Sequence, residues 1–253
     1  MFTVVRMLRR SFVRERSLLG EFVRTAYNVT REFMSAQFPG VVGGVPYFVG
    51  AFETCGSVVN IHPHTHALCS EGIREKAFHA LPADCDWSAL EELFRHAVLA
   101  LLVLRERLAE TTRAMLLSWR HSGFGVDASS GAAAGDREGL HRLACYLHKP
   151  VLSLGRMEYA PGASKVLRKN DAAHGYGTVA YEPLEFMALV LAHVPEPHEV
   201  RVRYYGAAAS TIRRGGRNGR LAGNAAGGDE SPAGPTAPGE AEESANGITY
   251  GLP

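Results

Sequence analysis

Apolar periodicity runs through this chain and stops at Tyr205. A stretch with no recurring apolar face has nothing to bury against a core, so whatever folds must be built from the residues before that point. The segment beyond it, RRGGRNGR grading into an Ala, Gly, Pro and Glu-rich run, reads as disordered from about Ala207. This divides the 253 residues into a folded part, 1–206, and a low-complexity tail, 207–253. A hydrophobic fraction of 46% gives the folded part enough apolar side chains for a sizeable core.

The longest apolar run, AVLALLVL from Ala97 to Leu104, is bounded by His96 and Arg105. It is less than half the roughly 20 residues a membrane span needs, so it reads as a core helix. The opening MFTVVRMLRRSF is arginine-rich but has no long apolar region and no cleavage site, and does not read as a signal peptide. Four cysteines, Cys55, Cys69, Cys85 and Cys145, stand far apart with no C-x-x-C pair, which argues against a disulfide framework or a zinc ribbon and fits a reducing cytoplasm. Net charge is +1, but all 27 Lys and Arg lie at or before Arg220. The first 220 residues therefore carry about +6, a mild lean toward a polyanionic partner.

Two periods occupy the folded part. From Met7 to Phe38, Leu8, Phe12, Leu18, Leu19, Phe22, Val23, Tyr27 and Phe33 recur at steps of three and four among six arginines, which predicts an amphipathic helix with a basic outer face. GVVGGVPYFVGAFETCGSVVN predicts one or two strands leading into the next segment. Asp86 can cap a second helix carrying Leu90, Leu93, Phe94, Val98 and Leu101 on one stripe and ending near Leu108. Ser118–Ser129 is short and β-like; Asp136 then caps a third helix, REGLHRLACYLH, closed by Pro150. A hairpin-like region around Lys165 to Tyr181 precedes a fourth helix, Glu182–His193, stopped by PEP.

Within this frame NIHPHTHALCS places a histidine at every second position three times running: His62, His64 and His66. Side chains in a strand alternate faces, so all three project from one face, about 7 Å apart. Neighbouring imidazoles can then converge on one divalent ion such as Zn²⁺ or Mn²⁺, whereas Mg²⁺ prefers oxygen ligands. The competing reading is a set of surface histidines on an edge strand, since Pro63 has no N–H to donate to a ladder.

The blocks GSVVNIHPHTHALCSEG, WRHSGF, AAGDREGLHRLACYLHKPVLSLGRMEY and YEPLEFMALVLAHVPEPHEVRVRYYG, in this order from about Met7 to Gly206, resemble the catalytic part of rolling-circle insertion-sequence transposases. These form the insertion-sequence-ninety-one group of the HUH superfamily of single-strand endonucleases. The resemblance implies an α+β fold: an antiparallel-sheet HUH endonuclease-like core with flanking helices. Full-length relatives begin with a cysteine-rich zinc-binding module and the first strands of the sheet; this chain opens inside the helix that follows them, so a truncated, incomplete sheet is expected. By motif, His64 and His66 take the metal-ligand positions, His62 is an extra candidate ligand and Tyr146 takes the nucleophile position. Thr65 stands where the family usually has a bulky apolar residue. No second tyrosine follows Tyr146 on its helix, which resembles the one-tyrosine pattern.

On a helical projection Leu140, Leu143, Ala144 and Leu147 form a stripe, and Tyr146 lies roughly 100° from its centre, at the boundary. A tyrosine packing its ring and wetting its hydroxyl occupies the same kind of place. The resemblance implies a divalent metal ion, Mn²⁺ or Mg²⁺, at the scissile phosphate, a covalent tyrosyl–DNA intermediate, and single-stranded DNA at transposon ends as partner. Arg120, Lys149, Arg213 and Arg214 are the candidate DNA-binding cations. The alternative is a catalytically inactive transposase fragment that only binds DNA or another subunit; a structural zinc domain using HPHTH is disfavoured by the scattered cysteines.

Overall fold

The computed structural model describes residues 1–56, 58–147, 152–169 and 177–209. Two units divide the chain, Met1–Gly223 and Asn224–Pro253, and the second lies wholly outside the described residues. The fold class is α+β, as expected. The first strand, β1 (Phe2–Thr3), is followed by helices α1 (Arg9–Arg14) and α2 (Ser17–Ala36), then strands β2 (Tyr47–Cys55) and β3 (Ile61–Cys69). The short pair β4 (Gly72–Arg74) and β5 (Phe78–Ala80) precedes α3 (Ser88–Leu104), α4 (Glu110–Ser118), β6 (Gly125–Val126) and α5 (Arg137–Leu147). A meander of β7 (Met157–Ala160), β8 (Lys165–Lys169) and β9 (Thr178–Tyr181) leads to α6 (Pro183–Leu191) and the closing strand β10 (Val202–Gly206).

The main sheet has the order β10-β2-β3-β1-β6, every pairing antiparallel. The histidine strand β3 is therefore interior, with β2 on one side and β1 on the other, and is not an edge. The chain opens on a strand, not inside a helix as expected: Phe2 pairs with Thr65, and its buried ring packs against Phe94 at 5.0 Å. Two residues are too few to show a period, so β1 left no sequence signal.

One face of this sheet meets the core. Phe48 and Phe52 from β2, with Thr65, Ala67 and Cys69 opposite them on β3, lie under α2, whose Leu18, Leu19, Phe22, Val23 and Ala26 are fully buried. The helix α3 packs on α2 through Phe94, Val98, Leu99 and Leu102. Each fully buried Phe or Leu contributes about 1.5–3 kcal/mol. The expected helix over Met7–Phe38 is broken at Glu15 (φ −137°, ψ 92°), a turn that lets Phe12 fold back on Phe22 with ring centroids 5.2 Å apart.

Three other expectations change. The second helix ends at Leu104, and a further helix, α4, occupies Glu110–Ser118, where paired β-branched Thr111 and Thr112 obscured the period. Ser118–Ser129 is reduced to the two-residue strand β6. The ordered chain also passes Ala207: Ala207 and Ala208 are buried, and Ala207 N–H donates to the Pro46 carbonyl at 3.0 Å. The rest of the expected tail lies outside the described residues. No described helix is long and apolar enough to cross a membrane.

Candidate functional site

The face of β3 turned away from α2 carries the histidines. Glu53 pairs in register with His64, and Ala51 with His66, so these side chains share that face. His64 Nδ1 lies 2.7 Å from the His62 carbonyl, which can only accept, so Nδ1 carries the proton and Nε2 keeps its lone pair. The His66 Nε2 is 3.1 Å from His64 Nε2, and the ring centroids are 4.8 Å apart. Two nitrogens each bonded at about 2.0–2.1 Å to one ion stand about 3 Å apart, so this pair fits a divalent cation. Among the described residues no set of three His, Cys, Asp or Glu forms a complete protein cage.

His62 differs from the other two. The register passes from Glu53–His64 to Cys55–Ile61, so His62 and Pro63 together oppose Thr54 in a bulge. Pro63 lacks the N–H a regular ladder would use, and the bulge accommodates it. The His62 ring stays 5.2 Å from that of His64, while its carbonyl orients the His64 ring. Burial, then the nearby positive charge of Arg9, pushes His62 down to about 4; burial foremost also lowers His64. Both imidazoles are thus neutral near pH 7, the form that offers a lone pair.

Tyr146 reaches the same place from α5. Asp136 caps this helix as expected, its Oδ1 accepting from Gly139 N–H at 2.8 Å. The Tyr146 ring stands edge-on to His66 with centroids 4.9 Å apart and an interplanar angle of 86°. It is 51% exposed, at the boundary as the projection predicts, although Leu140 of the expected apolar stripe is also open to solvent. Two other tyrosines of this region differ: Tyr181 is buried and donates its hydroxyl to the Val58 carbonyl at 2.8 Å, while Tyr159 is exposed on β7.

Arg120 is exposed in the loop between α4 and β6 and makes no ion pair among the described residues. Lys149, Arg213 and Arg214 lie outside the described residues. Sequence reasoning missed Arg9, whose charge opposes protonation of His62 and His64, and Arg201, which donates to Glu53 Oε1 at 2.9 Å. Neither carries a local signal, because pairing across strands alone brings Glu53 opposite His64. Cys55 and Cys69 are free thiols pushed up by burial to about 11 and about 12, so neither offers a thiolate to a metal at neutral pH.

Residues 48–215, about two-thirds of the chain, match the model of the family Y2_Tnp, described as "Putative transposase". The match spans the histidine strand, α5 and β10. No curated protein and no solved structure matches the chain.

Proposed function

The chain belongs to the Y2_Tnp transposase family, and from that premise we propose that it cleaves and rejoins single-stranded DNA through a covalent link to Tyr146, beside a divalent cation held by His64 and His66. The observation that carries this reading is the contact of Tyr146 with His66, rings 4.9 Å apart, at the strand where the two histidine nitrogens converge. The proposed nucleophile from one element and the ligand pair from another meet on the sheet face turned away from α2, where Tyr146 is half exposed and His64 is buried.

The cation, Mn²⁺ or Mg²⁺, would supply positive charge to the non-bridging oxygens of the scissile phosphate. Tyr146 forms the new bond: its phenolic oxygen, freed of its proton, attacks phosphorus, and the bond to the 3′-oxygen breaks. That oxygen takes up a proton and leaves as a 3′-hydroxyl, while the phosphate remains esterified to tyrosine. Because one phosphodiester replaces another, rejoining to a second 3′-hydroxyl needs no nucleotide cofactor. This follows the manner of the HUH single-strand endonucleases that the sequence resembles, acting at transposon ends in rolling-circle transposition.

The test is to incubate the chain with labelled single-stranded DNA and Mn²⁺, denature it, and look for label migrating with protein. An adduct that maps to Tyr146 and is lost in Tyr146→Phe is expected. An adduct at Tyr159 would move the nucleophile; no adduct from a folded, DNA-binding chain would leave the inactive-fragment alternative.

A further inference from the structure

Several arginines of the described surface are neutralised by a glutamate, among them Arg16 by Glu199 at 2.8 Å, Arg105 by Glu21 at 2.6 Å and Arg107 by Glu15 at 2.6 Å. Arg6 and Arg10 are exposed and make no ion pair among the described residues. They border an open cleft of about 570 Å³ whose other walls are Val5, Met7 and Trp119. Trp119 is 38% exposed and Met7 49%, so the cleft gathers an exposed indole side chain and an apolar wall with two guanidinium groups that make no ion pair among the described residues. From these features we infer that it is a stacking subsite for one unpaired nucleotide of single-stranded DNA, its base on Trp119 and its flanking phosphates on Arg6 and Arg10.

The size suits a nucleotide, since small-ligand pockets run from about 300 to 1,000 Å³. An indole with arginines is the combination that holds single strands without reading sequence. The platform is also preorganised: Arg95 Nη2 donates to the Trp119 carbonyl at 3.1 Å and to those of Leu116 and Leu117, tying this backbone to α3. The cleft is lined by Val5, Arg6, Met7 and Arg10 of the segment that follows β1, whose Thr3 pairs with His64. Duplex DNA keeps its bases stacked inside and cannot present one to the indole.

The inference rests on the DNA-processing reading, but its test is binding without chemistry. Fluorescence anisotropy of labelled single-stranded oligonucleotides with the full chain, in EDTA, should show affinity about tenfold lower for Trp119→Ala and largely kept by Trp119→Phe. The double variant Arg6→Gln, Arg10→Gln should bind more weakly and lower the slope of log affinity against log salt by about one to two. Duplex of equal length should compete poorly. Should Trp119→Ala fail to fold, the exposed arginine pair and quenching of Trp119 fluorescence by DNA in a Trp87→Phe background decide the matter. Wild-type affinity in the arginine double variant, no Trp119 quenching, or equal binding of duplex would overturn the subsite. A Tyr146 adduct with no Trp119 effect removes the cleft and keeps the chemistry; a Trp119 effect with no adduct does the reverse.

Discussion

His193, on the residues that follow α6, lies 3.2 Å through Nε2 from the carbonyl of Val59, in the turn that launches the histidine strand. The carbonyl can only accept, so Nε2 bears the proton and Nδ1 accepts from the Thr54 hydroxyl at 3.0 Å. Val59 is a buried β-branched residue at φ +54°, a conformation that persists only when its surroundings hold it. Tyr181 grips the preceding carbonyl, Val58, so the segment after α6 and strand β9 together clamp this turn.

Acid should therefore loosen the fold. Burial holds His193, His62 and His64 below the ordinary histidine value of 6.5, His62 at about 4. Between those values the unfolded chain binds protons that the native chain refuses, so stability is full above pH 6.5 and falls as pH drops toward 4. Thermal midpoints across this range should decline, and His193→Gln, which keeps a donor and an acceptor but does not titrate, should decline less steeply. A parallel decline in the variant would remove His193 from the account.

Arg95→Leu should destabilise the protein by about 2 kcal/mol in urea unfolding, because three carbonyls at the end of α4 lose the two Nη2 hydrogens they share, at roughly 1 kcal/mol for each hydrogen bond. The Arg95 Nη2 contacts are 2.6, 2.8 and 3.1 Å, and the side chain is buried. A change under about 0.5 kcal/mol would mean water replaces them.

Gly206→Ala should cost about 2 kcal/mol or more in the same measurement. The residue sits at φ +55°, and an added Cβ would fall 2.1 Å from the Pro46 carbonyl oxygen, a backbone atom that cannot swing aside. Gly40→Ala, with nothing within 4 Å of the new Cβ, serves as the neutral control.

Replacing both His64 and His66 by alanine should abolish Mn²⁺-dependent adduct formation while leaving single-stranded DNA affinity in EDTA within about twofold, since phosphate-holding cations lie elsewhere. Cleavage by this variant at the wild-type rate would rule the two histidines out as ligands.

Local patterns in the sequence were enough to place the histidines in a strand, cap α5 at Asp136, put Tyr146 at a helix boundary and locate most of α2, α3 and α6. Each of these is a period or a cap written in neighbouring residues, and the free energy that selects it is local burial. Tertiary structure alone decided the rest: the two-residue strands β1 and β6, the bulge that sets His62 apart, Glu53 opposite His64, the gathering of Trp119 with Arg6 and Arg10, and the meeting of Tyr146 with His66. A two-residue strand has no period, and a contact between distant segments is chosen by strand register and by how α2 and α3 fill one face of the sheet. Periodicity tells which side of an element is apolar; only packing of the whole chain determines what faces the side left open.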